Sequence, residues 1–197
     1  MAEAADRSRS GGLRAVLLGA PGSGKGTQAE FLAASLGVPA ISTGAMLRDA
    51  VAHGSALGSK VEGIMACGGL VDDALMAEVV RERLGRPDAA GGFLLDGYPR
   101  TTGQAAMLDS ILAERQEQLD AVLLLEVPEA DLVERAVARK RADDGEEVVR
   151  ERLRVYREKT EPLVEHYERR NLLRRVDGNR TMREVTAASL KMLGRQA

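Results

Sequence analysis

"RAVLLGAPGSGKGTQ", residues 14–28, decides the fold. It opens on an apolar run, 14–19, of the kind that forms a strand buried on both faces of a parallel sheet. It turns through glycines and enters a helical pattern over 25–36. Gly19, Gly24 and Lys25 fit G-x-x-x-x-G-K, between the strand and the helix that this motif requires. Glycines at such a turn let backbone N–H groups curl around a phosphate. The lysine reaches terminal phosphates, and the helix N-terminus adds its positive dipole. One position departs from the general motif. Gly26 stands where a serine or threonine normally follows the lysine, and Thr27 comes second. The usual hydroxyl ligand for magnesium is therefore displaced.

Working outward, further apolar runs lie at 38–42, 92–96, 121–127 and 172–177. Helical patterns separate them, at 43–53, 58–67, 72–85, 102–117, 129–141, 145–169 and 181–193. Strand–helix alternation predicts an α/β class with a doubly wound five-stranded parallel sheet. Between the second and third strands lie two helices beyond the usual single crossover, so 42–71 reads as a small helical insertion. Pro162 predicts a kink in the last long helix. In open sheets, ligands bind at the carboxyl ends of strands. Gly19, Ser42–Thr43, Asp96 and Gly178 all fall at such ends, so one crest could carry a whole site.

The chain has 197 residues, 44% of them hydrophobic and only 3% aromatic, which predicts one domain with an aliphatic core. Net charge is −2, with no basic stripe or aromatic platform, which argues against a nucleic-acid partner. The single cysteine, Cys67, reads as core; it excludes an internal disulfide and a thiolate zinc site and fits a reducing compartment. No apolar run spans a bilayer. The first dozen residues have no signal-peptide core and read as a disordered tail, 1–12, ahead of a single domain over 13–197. His53 and His166 lack partners at metal spacing and read as surface or packing residues.

Four segments in order, "GAPGSGKGTQ", "ISTGAMLR", "LLDGYPRTTGQ" and "RADDGEEVVRERL", resemble adenylate kinase, from about residue 14 onward. In that family of P-loop nucleoside monophosphate kinases the GKGT form is normal. The resemblance implies reversible, magnesium-dependent transfer from ATP to AMP giving two ADP, and adenine nucleotide homeostasis in the cytoplasm. Gly22, Ser23, Gly24, Lys25, Gly26 and Thr27 would bind ATP. Arg135 would lie near its adenine, Gly178 to Arg180 would close that pocket, and Arg139 would meet its phosphates. Thr43 and Gln104 would contact the AMP base, with Gly69, Leu70, Val71, Gly97, Tyr98 and Pro99 lining the pocket. The Tyr98–Pro99 bond is a candidate cis bond. Arg48 and Arg100 would hold the AMP phosphate, and Arg141 and Arg152 the group in transit. Asp96 would hold Mg2+ through water; Glu126 is a weaker rival.

The run "RKRADDGEEVVRER", 139–152, has a structural reading beside this one. Asp144 with Glu147 resembles a capping box for the next helix. Lys140 and Arg150 have no counterpart in the family and read as solvated. About 138–146 would be a lid, shorter than the compact forms carry. It has no structural zinc, because the four cysteines of long lids are missing. Compact forms tend to be monomers, while the shortest-lid relatives can form oligomers. The acidic residue that usually follows Gly44 is Ala45 here, which predicts weaker AMP binding or a looser insertion unless Ser42 or Thr43 caps the helix. Pyrimidine kinases of this fold tend to have Ala at 43 and Asn at 101; Thr43 and Thr101 favour adenine. A nucleotide-binding regulator without turnover is the reading from another class. The glycines at 54, 58, 68 and 69 are hinge candidates.

Overall fold

The computed structural model describes residues 12–138 and 145–194. The strands are β1 (Arg14–Leu18), β2 (Ala40–Ser42), β3 (Phe93–Asp96), β4 (Ala121–Glu126) and β5 (Leu173–Asp177). They form one parallel sheet in the order β2-β3-β1-β4-β5. Its three inner strands are almost wholly buried, as their unbroken apolar runs require. β2 is shorter than the 38–42 expected. Pro39 has no N–H for the ladder and contributes only its carbonyl, which accepts from Leu94 N at 3.0 Å.

Helices cover both faces. α1 (Lys25–Leu36) and α9 (Met182–Met192) pack on one, where Ala15, Leu17, Leu94 and Leu123 meet Leu32, Val185 and Leu190. The larger cluster, on the other face, joins Val16, Leu95 and Val122 to α4 (Asp73–Leu84), α5 (Thr102–Glu114) and α8 (Pro162–Arg169). The core is aliphatic, as the composition predicts. Cys67 is not part of it: it is exposed at the C-terminal cap of α3, where the helical apolar pattern has already ended.

The extra helices between β2 and β3 are α2 (Thr43–Ala52) and α3 (Ala56–Ala66). They cross closely at Gly58, where a methyl group would lie 2.1 Å from the carbonyl oxygen of Ala50. Gly58 is therefore a packing glycine, while Gly54, at φ 59° with open space around it, keeps the character of a joint. Gly58→Ala is expected to lower stability by about 1–3 kcal/mol by forcing α2 and α3 apart. A denaturant midpoint equal to that of the parent would refute this crossing.

The expected long helix over 145–169 is three pieces. These are α7 (Glu146–Val155), a widened π turn (Tyr156–Thr160) and α8. Pro162 is the cause. It has no N–H to continue the ladder, and Glu161 N–H instead donates five residues back to Tyr156 O at 2.9 Å. The cap of α7 is Gly145, with no side-chain bond, and the expected capping box rests on Asp144. Asp144 lies outside the described residues, as do the tail through Gly11 and the lid centre, 139–144. α6 (Glu129–Ala138) is described up to that point. α5 ends three residues before expected, where Gln116 takes positive φ.

Candidate active site

The sheet order reverses beside β1, and a cleft of about 550 Å³ opens at the carboxyl ends of its strands. The glycine loop forms its floor. Gly19, Gly22 and Gly24 have φ of 147°, 89° and 88°, which glycine alone adopts without strain. Crowding adds to this at Gly22, where a methyl group would meet Leu132 O of α6 at 2.3 Å. The loop is thus seated against the helix that leads to 139–144. The Lys25 ammonium donates to Gly19 O at 2.7 Å and Ala20 O at 2.9 Å, so it lies curled over the loop. Gly26 faces Asp96: a methyl group there would stand 3.7 Å from Asp96 Oδ2.

Asp96 ends β3 and is 9% exposed. Its Oδ2 accepts from Ser42 Oγ at 3.1 Å, and its carbonyl accepts from Thr43 Oγ1 at 3.3 Å. Both hydroxyls at the start of α2 are turned to Asp96, so Ser42 makes no cap bond, and the first turn carries no acid. Neither Ser42 nor Thr43 therefore makes up for the acid missing at Ala45.

Arg48, Arg100 and Arg152 line the same cleft from α2, the loop after β3, and α7. Arg100 Nε donates to Gly97 O at 2.8 Å, across the cis Tyr98–Pro99 bond. Burial lowers the Arg100 pKa below its ordinary value; the Asp96 charge opposes this, and Arg152 and Arg48 reinforce it. Arg100 thus lies within reach of two like charges and one opposite charge at the cleft. Thr27, Thr43, Gly69, Leu70, Val71, Gly97, Pro99 and Gln104 also line the cleft, as do Met46 and Met65, which pack on the core as well. Tyr98 is buried behind the cleft, and its hydroxyl donates to Gln104 O at 3.1 Å.

A second hollow of about 360 Å³ is lined by Asp131, Glu134, Arg135, Ala138 and Asn179. Arg135 Nη1 donates to Gly178 O at 3.0 Å, and its other nitrogen donates to Asn179 Oδ1. Arg180 pairs with Asp177 at 3.0 Å on the surface. Glu126 accepts from Arg175 at 2.6 Å and takes no part in the cleft. Arg150 pairs with Glu146 on the exposed side of α7, away from Arg152. Arg139 and Arg141 lie outside the described residues.

Three contributors escape a reading of the sequence. Asp73 accepts from Thr101 and from Gln104, 28 and 31 residues away. Thr160, in the π turn, donates to Arg100 O at 2.8 Å, 60 residues away. Tyr156 lines the cleft from the same turn, its pKa raised to about 12 mainly by burial. No local motif marks any of them.

The family model for adenylate kinase matches residues 17–172. An adenylate kinase of Nocardia farcinica is 49% identical over 183 residues, covering 93% of this chain and 100% of its own length. One from a Synechococcus species is 51% identical, covering 87% and 93%. One from Thermus thermophilus is 50% identical, covering 93% and 98%.

Proposed function

Because the chain belongs to the adenylate kinase family, whose reaction is reversible phosphoryl transfer from ATP to AMP, we propose how its own residues divide that work. ATP phosphates lie on the loop from Gly22 to Thr27, with Lys25 uncurling from the loop carbonyls onto them. The donor base occupies the hollow by Arg135 and Asn179, with Gly178 bonded to Arg135 and Arg180 following in the chain. AMP lies across the cleft. Its base meets Thr43 and Gln104, its phosphate meets Arg48 and Arg100, and the insertion 42–71 covers it. Arg152 faces the group in transit, joined by Arg139 and Arg141 from the lid.

The observation that carries this reading is the convergence of Arg48, Arg100 and Arg152 on the phosphate loop. The AMP phosphate is already a nucleophile, so no general base is needed. Catalysis is positioning plus charge stabilisation. The arginine fork suits this because it bonds two oxygens at once. Closure of lid and insertion excludes water, which would otherwise accept the phosphoryl group. The lid root packs through a small cluster of its own, Leu132, Ala136, Val149 and Leu153, which suits movement as a unit.

The family generally uses Mg2+ with ATP; when bound, it neutralises charge across the β- and γ-phosphates. The residues fit such a group. Asp96 is a nearly buried carboxylate at the loop's edge, oriented by Ser42, and the side chain missing at Gly26 leaves room beside it. Asp96 would hold the ion through water. Asp96→Asn keeps the shape and removes the charge. It is expected to raise the Mg2+ concentration for half-maximal rate about 10- to 100-fold. An unchanged Mg2+ dependence would remove Asp96 from this role.

We place the protein in the cytoplasm as a monomer; no described helix is long and apolar enough to cross a membrane. The deciding assay is ADP formation from ATP and Mg2+ with AMP, CMP, UMP or GMP. Turnover with AMP far above that with the other three acceptors is expected. Turnover with CMP or UMP would make it a pyrimidine-nucleotide kinase. Tight ATP binding without transfer would make it a regulator.

A further inference from the structure

We propose that Asp73 selects adenine over guanine at the acceptor site, by fixing which way round the Gln104 amide is presented. The inference rests on the reading that Gln104 meets the acceptor base.

Gln104 lines the cleft yet is only 2% exposed. Both ends of its amide are engaged. Oε1 accepts from the backbone N–H of Arg100 at 2.8 Å, and Nε2 donates to Asp73 Oδ1 at 2.8 Å. A backbone N–H can only donate, and a carboxylate can only accept. Turning the amide over would set N–H against N–H and oxygen against oxygen. The orientation is therefore compelled by its partners.

Asp73 is itself held in place. Its Oδ2 accepts from Thr101 Oγ1 at 2.9 Å, and that hydroxyl oxygen accepts from Gln104 N at 3.0 Å. The Gln104 carbonyl accepts from buried Tyr98. Every polar group of the residue has a partner before any ligand arrives.

What remains for a ligand is one lone pair on Oε1 and one N–H on Nε2, in a set order. Adenine offers an amino donor at position 6 and an acceptor at N1. Guanine offers the reverse, an acceptor at position 6 and a donor at N1. A free glutamine serves either base by turning over. The amide locked between Asp73 and the Arg100 N–H serves one. A polar site with a fixed pattern rejects the wrong partner because its buried groups are left unpaired. Thr43 acts in the same sense. Its hydroxyl proton goes to Asp96 O, so that oxygen has only lone pairs left, which suit an amino group better than a carbonyl. Asp73 touches no substrate in this account. It is a positioning residue at the first turn of α4, just past the insertion.

The test uses the full chain with ATP and Mg2+, comparing AMP with GMP as acceptor in the parent, Asp73→Ala and Asp73→Asn. In Asp73→Ala the ratio of kcat/KM for AMP to that for GMP is expected to fall at least about tenfold, mainly through KM for AMP. The KM for ATP should not move. Asp73→Asn keeps a carbonyl acceptor for Gln104 and should keep the parent ratio. The proposal is overturned if Asp73→Ala loses AMP and GMP turnover equally, if its ratio is unchanged, or if Asp73→Asn loses selectivity as fully. Should Asp73→Ala not fold, Thr101→Val decides: releasing the second oxygen of Asp73 lowers the ratio, and an unchanged ratio overturns the proposal. A parent that transfers nothing to AMP overturns the functional reading first, and this inference with it.

Discussion

Arg100→Lys lowers kcat for transfer from ATP to AMP by about 100- to 1000-fold, with ATP affinity retained. Lysine keeps the charge, so what is lost is the fork. The guanidinium uses Nε on Gly97 O and still has two terminal nitrogens to offer. A lysine ammonium that satisfies Gly97 offers its remaining N–H groups from one tetrahedral atom, without the planar fork that meets two phosphate oxygens side by side. Both Arg48 and Arg152 also act on Arg100. Its displacement would therefore alter how the other two are arranged. The check is rapid-quench measurement of the chemical step, with calorimetric ATP binding beside it. If kcat stays within about threefold of the parent, less than the weakest loss expected for one such donor, Arg100 is a structural ion-pair residue.

Gly22→Ala is expected to weaken ATP binding at least about tenfold, a loss of about 1.4 kcal/mol. Two penalties combine. An L side chain at φ 89° is strained by about 1–3 kcal/mol. Its methyl group would also press within 2.3 Å of Leu132 O and 3.0 Å of the carbonyl carbon, where only backbone can yield. Gly24→Ala separates the two. Gly24 has nearly the same φ, 88°, but open space around it. Gly22→Ala should bind ATP more weakly than Gly24→Ala. Equal affinities would mean that contact with α6 contributes nothing to the shape of the loop.

The sheet was legible because its signals are local. Unbroken apolar runs such as "FLLD" and "AVLLLE" suit only strands covered on both faces, and each is followed by a helical pattern. The loop was legible for the same reason: its glycines, lysine and helix start lie within a few residues. From these the crest could be inferred, and with it the neighbourhood of Gly19, Ser42 and Asp96. The cross-links at the site were not legible. Asp73 reads as an early acid of α4, and Thr160 as one polar residue in a helix. Their partners are fixed only when α4 docks on α5 and the π turn reaches Arg100. Cys67 falls outside the core because the apolar helical run that suggests burial ends one residue before it. The break in the last long helix was located by Pro162, but its form was not. Val149, Leu153, Thr160, Leu163 and Tyr167 follow the spacing of one continuous helix face.

That spacing hides a division of labour. Val149 and Leu153 bury themselves against α6, while Leu163 and Tyr167 enter the main core. One stripe serves two cores because the turn between them is wider than an α-helical turn. A π turn is an extra residue lodged in a helix, and each residue of an α-helix is worth about 100° of rotation. Removing one residue from 157 to 159 would thus swing α7 by roughly that angle relative to α8. Arg152 would leave the cleft with every side chain of the site unaltered. The aim of that arginine is encoded in a count of residues as well as in their identity, and an alignment that closes the gap there would keep the letter and lose the bearing.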